Sequence, residues 1–190
     1  MTTDAHRRPD SGKGGQARTR LARAAVIQAA RALFLEGGYA ATTIEAISDL
    51  SDVPPATVYR LFSSKLGILK AVLDVSIAGD DQAVPLADHP HVRALLADPD
   101  PRNQLSGFAG LIHGILSRAE PVYRILLSAA ATDPDAAVLL TELTRQRHRG
   151  QAQFARSLAR ARRLSRDRYS HVVKVRRNLR QPVSVCKRKE

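Results

Sequence analysis

The chain contains no tryptophan, one cysteine, one methionine and only 4% aromatic residues among its 190. A single cysteine, Cys186, has no partner within the chain, which excludes a disulfide framework and fits a reducing compartment. No apolar run approaches the roughly 20 residues that span a bilayer, and no apolar stretch follows Arg7 and Arg8 as it would in a signal peptide. From these absences we expect a soluble, cytoplasmic protein.

Signals for β-strands are also weak. Alternating β-branched runs are absent, and Ala, Leu, Arg and Glu dominate stretches with helical periodicity. A length of 190 residues suffices for one or two compact domains with a core. The sequence therefore predicts an all-α protein.

The net charge of +12 is unevenly distributed. Residues 1–75 carry ten Lys/Arg against seven Asp/Glu, and residues 76–158 carry eight against nine. Residues 159–190 carry twelve against two, a net +10, so the high isoelectric point mostly reflects the end of the chain. Basic charge attracts phosphate without reading sequence, and would suit DNA, RNA or an anionic membrane surface.

The N-terminal third predicts a series of helices. A first helix is expected from Arg18 to Glu36, ending at Gly37–Gly38, with one apolar face: Val26, Ala29, Ala30, Leu33 and Phe34. Thr42 with Glu45 three residues later matches a capping box, which predicts the start of a second helix. Its expected inner face is formed by Ile44, Ile47 and Leu50.

A tight turn at Ser51–Val53 should separate this helix from a third one. Pro55 suits the first turn of a helix, and Val58 and Phe62 stand four residues apart on one face. Ser63 or Ser64 can cap a fourth helix, whose apolar residues are Ile68, Leu69, Val72 and Leu73.

Two short helices joined by a tight turn predict a helix-turn-helix. Thr57 could bond a base edge or meet a thymine methyl, and Arg60 could reach guanine or phosphate. Tyr59 and Lys65 are better placed for phosphate oxygens, as is Thr43 at the positive end of the second helix. The expected DNA contacts are Arg18, Arg20, Thr42, Thr43, Pro55, Ala56, Thr57, Tyr59, Arg60 and Lys65. The alternative is ordinary helix packing, with Tyr59 and Arg60 at a solvated rim.

The segment GYAATTIEAISDLSDVPPATVYRLFSSKLGILKAVLD, residues 38–74, resembles the DNA-binding domain of the tetracycline-repressor (TetR) family of transcriptional regulators. The matching residues are Gly38, Tyr39, Thr42, Thr43, Ile47, Val53, Thr57, Tyr59, Phe62 and Lys65. The chain departs from the family pattern in the turn, at Ser51 and Asp52, and on the recognition helix. There Pro54 replaces a capping Ser or Thr, Ala56 replaces Gly, and Leu61 replaces a frequent His. These departures place the operator sequence, rather than the activity, in question.

The resemblance implies a second helical domain that holds a small ligand and forms a homodimer, so that a palindromic operator is bound by two recognition helices and released when the ligand binds. After a Pro-rich linker, a helical stripe contains Leu105, Phe108, Leu111, Ile112, Ile115 and Leu116. Further helices are expected from Pro121 to Ala131 and from Pro134 to about Arg160. The stripe could be core or pocket, and the candidate ligand contacts are Phe108, His113 and Tyr123.

The expected division is a disordered arm (1–17), a helix-turn-helix domain (18–78), a helical regulatory domain (79–159) and a basic tail (160–190). Family members usually end with two apolar helices that pair with a second subunit, and this tail has no sustained apolar face. Two interpretations remain open. The tail could add non-specific phosphate contacts, or a shifted reading frame could have altered the C-terminus and weakened the dimer.

Enzyme interpretations find little support in the sequence. Asp88, His89 and His91 could suggest a metal, but a fourth ligand at diagnostic spacing is missing. Neither a catalytic arrangement around Cys186 nor a glycine-rich phosphate loop is present. We expect no catalytic residue, metal or cofactor. The alternative to a sequence-specific regulator is a non-specific nucleic-acid-binding protein that acts through its basic tail.

Overall fold

The structure, a computed structural model, describes the backbone of residues 11–79 and 85–178 and the side chains of residues 14–79 and 85–163. Its α-helices are α1 (Ser11–Ala41), α2 (Ile44–Ser51), α3 (Pro55–Phe62), α4 (Lys65–Ala78), α5 (Pro90–Ala97), α6 (Pro101–Ala130) and α7 (Pro134–Asn178). A short 3-10 helix, Leu86–Asp88, precedes α5. These ranges contain no β-strand, which confirms the all-α prediction. Residues 1–10, most of the predicted arm, and Cys186 lie outside them.

Helix α1 begins at Ser11, so residues 11–17 are helical and this part of the predicted disordered arm was wrong. The predicted stop is confirmed, because Gly38 has φ 76° and interrupts the helix. That value lies in the left-handed region, where glycine has no side chain to clash. Of the predicted apolar face, Val26, Ala29, Ala30 and Phe34 are buried.

Helix α2 is capped one residue later than predicted. Thr43, not Thr42, is the N-cap, and its hydroxyl oxygen accepts a hydrogen bond from the Ala46 amide at 3.1 Å. Thr42 is buried instead, and its hydroxyl donates to the Gly38 carbonyl at 2.8 Å. The Glu45 side chain therefore follows the true cap by two residues rather than three, so the capping-box prediction was wrong.

The inner face of α2 also differs from the prediction at one position. Ile44, Ile47 and Ser48 are buried, whereas Leu50 is 57% exposed. The spacing of Ile44, Ile47 and Ser48 places them on one face, while Leu50, six positions after Ile44, points about 120° away from it.

The remaining helices of the N-terminal third match the prediction closely. Pro55 occupies the first turn of α3, and Val58 and Phe62 are buried. Ser64 caps α4 by accepting from the Gly67 amide at 3.0 Å, while Ser63 ends α3. The four apolar residues predicted for the fourth helix are all fully buried: Ile68, Leu69, Val72 and Leu73.

Helix α6 joins two segments that the sequence predicted as separate helices. Pro121 lies inside it rather than at the start of a new helix. Proline in a helix interior removes a backbone hydrogen bond and costs about 3 kcal/mol, but its fixed φ is compatible with the helix. Here the buried residues on either side of it, Ala119, Val122 and Leu126, offset that cost through packing. Helix α7 likewise continues past the predicted end near Arg160, to Asn178.

The chain divides into two compact units. The first contains the described residues from Ser11 to Pro85 together with His113–Arg145. Its single apolar cluster joins side chains of α1 to α4 with six residues of α6 and α7: Val122, Leu126, Ala129, Ala136, Leu139 and Leu143. Packing therefore does not follow the predicted boundary at residues 78 and 79. The functional division proposed there stays a prediction.

The second unit contains Leu86–Ile112 and the described residues from Gln146 to Asn178. Its centre includes a buried amide, Gln104, whose Nε2 donates to the carbonyls of Leu96 and Asp98 at 3.4 and 2.7 Å. The hydroxyl of Ser157 donates to Gln104 Oε1 at 3.2 Å. Beside this polar contact, the rings of Phe108 and Phe154 stack with centroids 3.7 Å apart.

Candidate nucleic-acid interface

The turn between α2 and α3 is held from inside the first unit. The buried hydroxyl of Ser48 donates to the Val53 carbonyl at 2.6 Å, and the Val53 side chain is itself buried. Asp52 adopts the left-handed conformation, with φ 53°, at the end of α2. Asp tolerates this region better than most residues, which explains how the turn forms without a glycine at this position.

Helix α3 exposes a small surface of aliphatic, polar, aromatic and charged side chains. Val58 and Phe62 face inward, so helical geometry places Ala56 and Arg60 furthest from the core. Thr57 and Tyr59 flank them, with Tyr59 48% exposed and Thr57 partly exposed. Pro55 is exposed at the beginning of the helix. All five of the residues predicted on α3 to contact DNA are thus accessible and lie on one short helix.

The two threonines before α2 have different environments. Thr43 is exposed at the helix N-terminus, where its hydroxyl caps the helix and retains a proton to donate. Thr42 is 5% exposed and its hydroxyl donates to the Gly38 carbonyl. The Thr42 side chain therefore faces the interior, and a contact between Thr42 and DNA stays a prediction.

Lys65 is engaged within the fold. Its ammonium group donates to the carbonyls of Tyr39 and Thr42 at 2.8 and 2.9 Å and lies 4.4 Å from the centroid of the Tyr39 ring. Two of its three donors are therefore used, and the side chain is partly buried. Lys65 ties the start of α4 to the segment before α2. Its contact with phosphate stays a prediction, for which one donor of the ammonium group remains.

Helix α1 contributes cations to the same domain. Arg18 and Arg20 are exposed, as predicted for groups that contact phosphate. Arg23 was missed: its guanidinium group lies 4.8 Å from the centroid of the Phe62 ring, at the end of α3. A sequence pattern could not identify this contact, since it joins residues 39 positions apart. Three exposed carboxylates, Glu45 and Asp49 on α2 and Asp52 just after it, limit purely electrostatic attraction to DNA.

The three candidate ligand contacts belong to two different units, and their part in ligand binding stays a prediction. Phe108 belongs to the second unit and stacks on Phe154, whereas His113 and Tyr123 belong to the first. His113 is exposed, and Tyr123 packs against the apolar cluster. His113 and Tyr123 are ten residues apart on α6, about 15 Å along the helix axis. This distance is long for two contacts to one small molecule.

Metal-binding groups are not clustered in the part of the chain that the structure describes: it holds no set of three or more His, Cys, Asp or Glu side chains that could hold a metal ion. His89 and His91 lie near each other, with ring centroids 5.6 Å apart. None of the described helices is long and apolar enough to cross a membrane.

The geometry defines a helix-turn-helix domain, in which a rigidly held short helix presents an exposed face on a supporting bundle. Residues 26–72 match the family model described as bacterial regulatory proteins, tetR family. This match supports a DNA-binding transcriptional regulator whose N-terminal domain is similar to those of the tetR family. No curated protein sequence matches the chain.

Proposed function

We propose that the protein is a transcriptional repressor that binds an operator through α3 and releases it when a small molecule binds the helical region after α4. The observation that carries the DNA-binding part is the exposed face of α3, which combines Ala56, Thr57, Tyr59 and Arg60 on a helix anchored by Val58 and Phe62. Such a face supplies both contacts to base edges and contacts to phosphates.

Release by a ligand requires a link between α6 and the DNA-binding helices, and Arg118 is well placed for it. Its Nε donates to the Ser76 carbonyl at 3.2 Å and its NH2 group donates to the Ile77 carbonyl at 3.4 Å. Both acceptors lie in the last turn of α4, where carbonyl groups lack helical partners. A shift of α6 would therefore move or break the Arg118 hydrogen bonds to the end of α4. This contact supports the proposal that a ligand acts through α6.

The proposed repressor acts as a homodimer on a palindromic operator, because two related recognition helices bind two half-sites more tightly than one binds a single half-site. The expected result of light-scattering mass measurement at micromolar concentration is a dimer. A monomer at that concentration, with no dimer formed on DNA, would contradict this part and favour an altered C-terminus.

The first test is a fluorescence-anisotropy titration of the full chain. The probe is duplex DNA from upstream of its own gene, with excess unrelated DNA as competitor. We expect saturable binding that survives the competitor and weakens at least ten-fold in Arg60→Ala and in Tyr59→Ala, since each removes a group from the exposed face of α3.

The matched control is Arg124→Ala. Arg124 is an exposed arginine on α6 whose only described ion pair is with Glu120, one turn away. The substitution removes the same charge as Arg60→Ala but lies outside α3. Equal losses in both variants would show that net charge, rather than the helix-turn-helix, governs binding.

A second function is favoured by one observation, the net +10 of residues 159–190. In this alternative the tail binds nucleic acid non-specifically. Binding would then be insensitive to Tyr59→Ala and Arg60→Ala, would disappear with competitor, and would fall steeply with salt. Measurement of the salt dependence of each variant separates the two functions.

A further inference from the structure

The N-terminus of α3 is unusually poor in hydrogen-bond donors. A helix normally exposes four free N–H groups at this end, and they attract phosphate. Pro54, the N-cap, and Pro55, the first helical residue, carry no N–H group. The Thr57 amide donates to the Pro54 carbonyl at 2.8 Å. Of the usual four donors, only the Ala56 amide remains, and Pro54 provides no side-chain cap.

The same end of α3 is rich in exposed carbon. Pro54, Pro55 and Ala56 are exposed and carry only aliphatic side chains, and the partly exposed Thr57 adds a methyl group beside its hydroxyl. Of these four residues, Ala56 points most directly away from Val58 and Phe62, so within this surface it would approach the floor of a groove first. This surface suits an apolar partner better than an anion.

The major groove offers one apolar group that distinguishes base pairs, the 5-methyl of thymine, and small aliphatic side chains are its usual protein contacts. We propose that Ala56, with the Thr57 methyl and the Pro55 ring, reads the 5-methyl group of a thymine in each operator half-site. This inference rests on the proposed sequence-specific DNA binding and names the base feature that the start of α3 selects.

The test replaces thymines one at a time with deoxyuridine, which removes only the methyl group and preserves base pairing. The probe is the upstream duplex, after footprinting has located the protected bases, and the full chain is titrated in the presence of competitor. We expect at least one thymine per half-site at which deoxyuridine weakens binding about four-fold, the effect of losing one buried methyl.

Variants identify the side chains that contact the methyl. In Ala56→Gly, which removes the outermost methyl, and in Thr57→Ser, which removes a methyl and retains the hydroxyl, the ratio of thymine to deoxyuridine affinity at that position should fall towards one. The control Ala109→Gly makes the same change at an exposed position of α6 and should leave the ratio unchanged. Circular dichroism melting shows whether each variant folds, and a wild-type scan with no sensitive thymine overturns the inference without the variants.

The outcomes distinguish failure of this inference from failure of the proposed sequence-specific DNA binding on which it rests. Competitor-resistant binding with a deoxyuridine effect that is lost in both variants supports the inference. Competitor-resistant binding with no thymine sensitive to deoxyuridine, or with an effect that both variants retain, overturns it and leaves the regulator intact. Binding erased by competitor overturns both.

Discussion

The carbonyl groups of Tyr39 and Thr42, just before α2, both accept hydrogen bonds from the ammonium group of Lys65. Neither residue belongs to the same helix as Lys65, so one side chain joins the end of α1, the start of α2 and the start of α4. Charge-assisted hydrogen bonds in a partly buried setting are stronger than those on a surface. At the residue scale, Lys65 therefore holds the helices of the helix-turn-helix in position through these hydrogen bonds.

Lys65→Met should lower the free energy of unfolding by about 1–3 kcal/mol, because two carbonyl groups lose their donor. The control is Lys70→Met on the same helix, whose ammonium group pairs at 2.7 Å with Asp74 in an exposed i,i+4 salt bridge. That change should cost less than about 0.5 kcal/mol. Urea denaturation of both variants measures the difference, and equal losses would refute the role given to Lys65.

The phenol of Tyr39 has a raised pKa. Burial raises the pKa of its phenol, and the carboxylates of Asp133 and Asp135 raise it further. As pH rises past the ordinary value of 10.0, the unfolded chain loses this proton before the folded chain does. The free energy of unfolding therefore decreases as pH rises from 10.0 through the raised pKa. Below pH 10.0 the ionisation of Tyr39 does not lower it.

We expect the alkaline phenolate absorbance titration to show a late step that disappears in Tyr39→Phe. Tyr59→Phe should leave the late step in place, and Asp135→Asn should move it to lower pH by removing a negative charge. Above pH 10 the stability of Tyr39→Phe should also fall less steeply than that of the wild type. A late step that persists in Tyr39→Phe would contradict the assignment.

At the scale of elements, α3 and α4 are packed closely at their junction. Ser63 has φ 65° and ends α3, and Ser64 caps α4 directly afterwards. Gly67 lies in the first turn of α4, so close to α3 that an added Cβ would overlap the Phe62 carbonyl oxygen. The angle between the recognition helix and α4 therefore depends on a glycine that has an ordinary helical conformation.

Gly67→Ala should destabilise the protein by about 1–3 kcal/mol, because the new methyl meets backbone that cannot move without shifting α3. Gly37→Ala is the matched control, since its Cβ would make only an ordinary 3.7 Å contact with Ala41. There the change should be neutral or stabilising by up to about 1 kcal/mol, the helix preference of alanine over glycine. Thermal melting of the pair checks this, and effects of the same sign would contradict it.

At the scale of the whole molecule, the first unit extends well beyond the helix-turn-helix. Leu126 of α6 is fully buried in the cluster that also contains Val26, Ile47 and Val58. The domain that resembles a separate module in sequence thus shares its core with α6 and α7. This sharing gives the proposed ligand response a physical route, because changes in α6 alter the core that supports α3.

Leu126→Ala should destabilise the first unit by about 2–5 kcal/mol and weaken DNA binding with it. The neighbouring Leu127 is 46% exposed, so Leu127→Ala should cost less than about 1 kcal/mol. Hydrogen exchange provides the measurement: amides of α1 to α4 should lose protection in Leu126→Ala and keep it in Leu127→Ala. Unchanged protection in Leu126→Ala would mean that these helices are stable without α6.

The sequence alone determined the helical class, the positions of α2, α3 and α4, and the inward faces of α3 and α4, because each follows from local periodicity and from turn residues such as Gly38 and Pro55. It also identified the residues of α3 that lie exposed. These features depend on residues close together in the chain, where the pattern carries the physical cause.

Tertiary structure decided the rest. Thr42 faces the interior and Lys65 binds carbonyls because residues more than 20 positions apart meet, which no periodicity encodes. Leu50 is exposed because it lies off the buried face of α2, which Ile44, Ile47 and Ser48 form. Pro121 lies within α6 because the buried residues around it outweigh one lost hydrogen bond. In each case the free energy of contacts distant in sequence overrode the local preference.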